Sequence, residues 1–177
     1  MIWFDYLALG FMAYFVIRGI LSGFLRILFS VLGMLVAFLY SGWFSLKLKP
    51  YVSNFIAHPK GQILVSFLLA FFLIYITFVL MGYFVLLFMK KLHISFADRV
   101  LGGIFGFIKG SLFVTFLYFL IVVPFPPARE SLDKALVYPV VANTTKVLQR
   151  FIPKSWIEFI QKTRKYYEIP KMFLNLK

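Results

Sequence analysis

Four long apolar segments restrict this chain to one class of fold. They cover residues 2–17, 27–46, 63–89 and 100–123, and each is followed by a charged residue or a proline. A helix needs about 20 apolar residues to cross the hydrocarbon core of a bilayer. Of the 177 residues 62% are hydrophobic and 14% are charged, so a water-soluble domain of this size would expose too much apolar surface. The sequence therefore predicts an integral membrane protein.

The predicted fold is all-α, because an open sheet leaves backbone groups unpaired in lipid. We expect a bundle of four transmembrane helices in residues 1–125, followed by a basic amphipathic helical tail in residues 126–177. The first segment is interpreted as a retained helix, not a cleaved signal peptide. Its start carries Asp5 and no Lys or Arg.

The tail carries the pattern of a helix that lies in the membrane interface. Ser155 and Glu158 have capping-box spacing, and an apolar side and a basic side follow them. The candidate lipid-facing residues are Trp156, Phe159, Lys162, Arg164 and Lys165. The alternative is an amphipathic helix packed on its own protein or on a partner.

The charge balance points to anionic lipid headgroups as partners. Nineteen Lys and Arg residues against six Asp and Glu residues give a net charge of +13. We expect no nucleic acid partner, since no base-reading motif appears. Orientation is undecided, because five basic residues flank the spans on each side. They are Arg18, Arg26, Lys90, Lys91 and Arg99 on one side and Lys47, Lys49, Lys60, Arg129 and Lys134 on the other.

Charged residues and glycines share one side of the fourth predicted helix. At 100° per residue, Lys109 returns to within about 20° of Asp98. Arg99, Gly102, Gly106 and Gly110 fall on the same side of this helix. Glycines at this spacing let helices approach closely in lipid, and intramembrane charges usually face the bundle interior or a wet cavity.

The first hairpin repeats this arrangement with two arginines and two glycines. The candidate polar and packing stripe is Asp5, Arg18, Gly19, Gly23, Arg26, Asp98, Arg99, Gly102, Gly106, Lys109 and Gly110. Structural alternatives stay open for three members. The Lys109 side chain can snorkel to the nearer membrane surface, and Asp5 and Asp98 can simply start helices.

The sequence gives no indication of an enzyme, a cofactor or a metal site. There is no cysteine, and His58 and His93 have no second ligand at metal-binding spacing. A nucleophile elbow, a zinc-protease motif and a phosphate-cradling loop are all missing from the sequence. We therefore expect no catalytic residues.

Several short motifs resemble the colicin V production protein (CvpA) family. They are the opening Met-Ile-Trp-Phe-Asp-Tyr, Arg18-Gly19, the segment from Gly23 to Arg26, and the Asp-Arg-x-Leu-Gly block from Asp98 to Gly110. Two positions depart from the family pattern. Ile27 stands where members often carry an acid, and Lys109 stands where arginine is common.

The resemblance implies a four-helix, multi-pass protein of the bacterial inner membrane that supports colicin V production or secretion and envelope homeostasis. A similar module is fused to periplasmic serine proteases, which suggests periplasmic termini. We expect a non-enzymatic component that forms homo-oligomers and contacts envelope or secretion proteins. The alternative is a small transporter or channel that uses the charged stripe.

Overall fold

The computed structural model describes residues 2–88, 95–125 and 127–151, and within these ranges the chain is all-α. The long helices are α1 (Trp3–Ser22), α2 (Phe24–Ser53), α3 (Pro59–Phe88) and α4 (Phe96–Val122). Each is long and apolar enough to cross a membrane. The predicted bundle of four membrane-spanning helices is confirmed.

Most of the helices extend beyond the apolar segments that predicted them. α1 runs through Arg18 to Ser22, and α2 begins before Arg26 and continues through Lys47 to Ser53. A charged residue ends an apolar run but not a helix, because Arg and Lys have good helix propensity. Their long side chains also reach the interface from positions near a helix end.

The bundle is arranged in the order α1, α4, α2, α3. α4 packs on both α1 and α2, and α2 also packs on α3. One apolar core joins α2, α3 and α4, with Phe38, Phe71 and Phe116 among its members. A second core joins α1 and α4 around Phe4 and Val114.

A single residue, Gly23, separates α1 from α2. Its φ of +79° lies in the region that favours glycine, and its N–H donates to the carbonyl oxygen of Gly19 at 3.1 Å. The chain therefore reverses direction with no loop. Both helices meet the beginning of α4 at this end of the bundle, which we call the Gly23 end.

Two short helices, α5 (Ala128–Leu132) and α6 (Tyr138–Gln149), follow the fourth span. Leu132, Val137 and Val141 are buried in the core that α1 and α4 form. This part of residues 126–177 therefore packs on the bundle. The residues expected to face lipid, Trp156, Phe159, Lys162, Arg164 and Lys165, lie outside the described residues, as do Lys90 and Lys91.

Candidate functional site

The glycines of the predicted stripe bring α1 and α4 into backbone contact. A Cβ atom at Gly102 would overlap the carbonyl oxygen of Gly19, and one at Gly19 would overlap the carbonyl oxygen of Gly102. One turn further along α4, Gly106 faces the backbone of Phe15 and Val16. After a second turn, Gly110 faces Met12. Three of these glycines on α4 and Gly19 on α1 therefore act in packing within the chain.

Asp98 caps a helix other than its own. Its Oδ1 accepts a hydrogen bond from the N–H of Phe24 at 3.0 Å, and its Oδ2 lies against Gly23. The N-terminus of α4 is capped instead by Ser95, whose Oγ accepts from the N–H of Asp98 at 3.2 Å. A carboxylate at a helix N-terminus is favourable, since it pairs with an orphan N–H and with the helix dipole.

Asp5 and Arg99 lie apart from the other charged members of the stripe. Asp5 is fully buried at the opposite end of the bundle, where its carboxylate accepts from the N–H groups of Ile2 at 2.8 Å and Val137 at 3.2 Å. It joins the start of α1 to the residue before α6. Arg99 is exposed near the beginning of α4.

Arg18, Arg26 and Lys109 line one cavity of about 390 Å³ in the Gly23 half of the bundle. All four long helices contribute to its wall, and we call it the cation-lined cavity. Its hydroxyl groups include those of Ser22, Ser30, Tyr75 and Tyr83. The sequence assigned the three cations to one candidate stripe drawn from two segments of the chain, and the packing of α1 against α4 brings them to the same cavity.

Within the part of the chain that the structure describes, no carboxylate lines the cavity beside its three cations. Within the described residues the salt bridge found is between Arg129 and Asp133, at 3.4 Å, outside this cavity. The Lys109 Nζ lies 4.7 Å from the ring centre of Phe15 and 5.6 Å from that of Tyr75. Such aromatic contacts compensate only part of a desolvated charge, by about 0.5–2 kcal/mol.

Lys109 lies at the midpoint of α4. Thirteen residues separate it from Phe96 at one end of the helix and thirteen from Val122 at the other. At 1.5 Å per residue, each end is about 20 Å away, which is farther than a lysine side chain reaches. Lys109 therefore holds its charge at the depth of the hydrocarbon core, inside the cavity.

The cavity is closed toward the other half of the bundle. Its deepest lining residues along α3 and α4 are Tyr75 and Lys109. One to two turns beyond them, Phe71 and Phe116 stack with ring centres 4.1 Å apart, within the first apolar core. Among the described residues, the lining of this cavity is confined to the Gly23 half of the bundle.

Sequence reasoning missed the hydroxyl groups of the cavity. The hydroxyls of Ser30 on α2 and Tyr75 on α3 share a hydrogen bond of 2.9 Å. α3 is apolar on every side, so no periodic signal shows which face it turns toward α2. The sequence shows only that Ser30 and Tyr75 are hydroxyl residues within apolar segments, and this does not identify the residue that each one contacts. No group of His, Cys, Asp and Glu residues that could hold a metal ion occurs in the described ranges.

The comparisons with known proteins agree with the sequence motifs. Residues 4–146 match the family described as colicin V production protein. A colicin V production protein homolog from Haemophilus influenzae is 28% identical over 118 residues, which make up 65% of this chain and 70% of that protein. No solved structure matches the chain. The family match includes most of every long helix, and we conclude that the chain belongs to the colicin V production protein family.

Proposed function

We propose that this protein is a non-enzymatic component of the bacterial inner membrane that binds an anionic ligand in the cation-lined cavity. Through this binding it supports colicin V production or secretion and envelope homeostasis. The observation that carries the proposal is the convergence of Arg18, Arg26 and Lys109 on a space that no lining carboxylate faces. Family membership supports the role in toxin production.

A cavity with unpaired cations is a costly feature in a membrane protein. A charged residue at the centre of a transmembrane helix costs about 2.5–3.5 kcal/mol on insertion scales, even when it is free to find partners. Lys109 is such a side chain, and it has no acidic partner among the residues that line the cavity. Arg18 and Arg26 lie near helix ends, where they are exposed, and they add two more positive charges to the same space. An anion that enters the cavity supplies the missing counter-charge, so binding it stabilises the folded bundle.

The second candidate is a small transporter. The position of Lys109 at the midpoint of α4 favours it, since transporters hold their substrates near the middle of the membrane. In that case the Phe71–Phe116 stack is the closed side of an alternating-access cycle. A pure binding component needs no such opening.

The proposal includes an orientation and an assembly state. The fused periplasmic proteases of the family favour periplasmic termini, and the cavity then belongs to the cytoplasmic half of the bundle. We also propose that the protein forms homo-oligomers and contacts envelope or secretion proteins. Gly102 and Gly106 are buried against α1 within the chain, so a subunit interface would use another surface.

The proposed function is tested by complementation of a bacterial strain from which the gene for this protein has been deleted. Lys109→Met and Arg26→Gln are expected to lower toxin release and resistance to detergent, because each removes a cation from the cavity. Lys47→Met is the matched control, since the Lys47 Nζ lies 4.0 Å from the Trp43 ring, far from the cavity near the other end of α2. Cavity variants that restore both phenotypes fully, at equal protein levels, contradict the proposal.

Flux measurements separate the two candidates. If the protein only binds the anion, liposomes that contain the purified protein are expected to release trapped chloride or phosphate no faster than liposomes without protein. Anion release that Lys109→Met abolishes and Lys47→Met preserves would establish the transporter instead.

A further inference from the structure

The cation-lined cavity lies between two helices that flank each other without packing closely. The extensive helix contacts are those of α1 with α4, α2 with α3, and α2 with α4. We call the α2 and α4 side of the cavity its floor. It carries Arg26, which is exposed near the beginning of α2, and the half-buried Lys109, and the other sides come from α1 and α3. Among the described residues, the gap between α1 and α3 is therefore a lateral opening in the bundle.

The rim of this opening faces the region that lipid occupies. Tyr14 on α1 and Tyr83 on α3 line the cavity and are each 54% exposed. Val79 and Leu86 add apolar surface to the α3 side. A cavity with cations at its floor and an apolar, tyrosine-bearing rim matches a ligand that is anionic at one end and apolar at the other.

The three cations of the cavity together suit a phosphate group. Two guanidinium groups and one ammonium group supply many donors, and guanidinium pairs bidentately with phosphate oxygens. The hydroxyls of Ser22 and Ser30 add donors beside them. A volume of about 390 Å³ accommodates a phosphate with a small headgroup but leaves no room for two acyl chains.

We infer that the cation-lined cavity holds the phosphate group of an anionic membrane lipid, whose acyl chains leave the bundle between α1 and α3. This inference rests on the proposed function and adds the chemistry and the source of the anion. A soluble phosphate compound has the same charged group. It has no apolar part to fill the gap beside Val79 and Tyr83.

Lipid retention by the full-length protein tests the inference. The protein is purified in micelles that contain equal amounts of phosphatidylglycerol and phosphatidylcholine, and native mass spectrometry counts the lipids that stay bound. We expect one tightly held phosphatidylglycerol in the wild type. Lys109→Met and Arg26→Gln are expected to weaken its retention at least tenfold, and Lys47→Met is expected to leave it unchanged.

A second pair of variants tests entry between the helices. Val79→Trp places a large ring on the α3 side of the opening, and Ile76→Trp is its control, because Ile76 is 50% exposed on the same helix but does not line the cavity. We expect Val79→Trp to exclude the lipid and Ile76→Trp to retain it. Thermal melts of all variants identify any loss of lipid retention that is due to unfolding. If Lys109→Met is unstable, Arg26→Gln tests the inference instead, because Arg26 is exposed and its substitution does not disturb a packed site.

Competition with inorganic phosphate or glycerol phosphate shows whether the bound phosphate group belongs to a lipid or to a soluble compound. Retention of the lipid in the presence of millimolar inorganic phosphate supports the inference. Binding of inorganic phosphate with no specific lipid overturns the lipid source but leaves the proposed anion-binding function intact. Equal lipid retention by the wild type and both cavity variants means that only surface lipid is bound, and overturns the inference. Full complementation by the same variants overturns the proposed function itself.

Discussion

The contact between α1 and α4 leads to a quantitative prediction for Gly106→Ala. An alanine Cβ at this position would overlap the carbonyl oxygen of Phe15 and lie 3.0 Å from both the Phe15 carbonyl carbon and the Val16 Cα. Carbon atoms in ordinary contact lie about 3.5–4.0 Å apart. All three neighbours are backbone atoms, so rotation of a side chain gives no relief. α4 must move away from α1 by roughly 0.5–1 Å to restore ordinary contact.

This displacement sets the expected loss of stability. Overpacking a close interface by one methyl group costs about 1–3 kcal/mol. A shift at Gly106 also separates Gly102 from Gly19, because both glycines of α4 lie in the same row. We therefore expect a decrease in the free energy of unfolding in the upper part of that range, about 2–3 kcal/mol.

Unfolding in mixed micelles provides the measurement. The purified protein in mild detergent is titrated with sodium dodecyl sulfate, and far-ultraviolet circular dichroism together with tryptophan fluorescence follows unfolding. Gly10→Ala is the matched control on α1, since its added Cβ has no atom of another described helix within 4 Å. Its free energy of unfolding should equal that of the wild type or exceed it by up to about 1 kcal/mol, because alanine has a higher helix propensity than glycine. Gly103→Ala should be intermediate, because it meets only the flexible Ile20 side chain.

Two results would refute this reasoning. A Gly106→Ala protein as stable as the wild type would show that α1 and α4 do not approach as closely as the backbone contacts indicate. Equal destabilisation by Gly10→Ala and Gly106→Ala would show that any change of glycine in these helices has a cost of its own, independent of the interface.

Two further predictions concern the ends of the bundle. Asp5→Ala removes the acceptor of the Ile2 and Val137 N–H groups, and the loss of hydrogen bonds to a charged group should cost about 1.5–3 kcal/mol each. Limited proteolysis near residues 127–137 should become faster, and an unchanged cleavage rate would contradict the anchoring role. Gly23→Ala forces alanine to a φ of +79° and places its Cβ against the Asp98 carboxylate. We therefore expect this variant to have a lower melting temperature in detergent than the wild type. Ser53→Ala, at the exposed end of α2, is the control and should melt at the temperature of the wild type.

The sequence predicted the four spans because each apolar segment carries its own signal, independent of its neighbours. It also placed Gly102, Gly106 and Lys109 on one side of α4, which follows from helical periodicity alone. The side is wide enough to meet different neighbours, and the structure divides it. The glycines face α1, and Lys109 faces the cavity. Periodicity gives the direction of a side chain but not the helix that lies there.

The two aspartates show the limit of local reasoning more sharply. Position near a helix start suggests that Asp5 and Asp98 each cap their own helix, and this holds for Asp5 at the start of α1. Asp98 instead caps α2, and Ser95 caps α4. The partners that matter most are distant in sequence. Asp98 pairs with Phe24, 74 residues away, and Asp5 pairs with Val137, 132 residues away. These pairs depend on the order in which the helices pack, and no local pattern encodes that order.

The packing order also determines when each helix can find its partner during synthesis. α1 is made before its main neighbour α4, which ends at Val122. At about 5–20 residues per second, α1 waits roughly 5–20 s for that partner. α2 and α3 are adjacent in sequence and can pair during this interval. The α2–α3 hairpin can therefore form while α1 still lacks the helix that it packs against in the folded bundle.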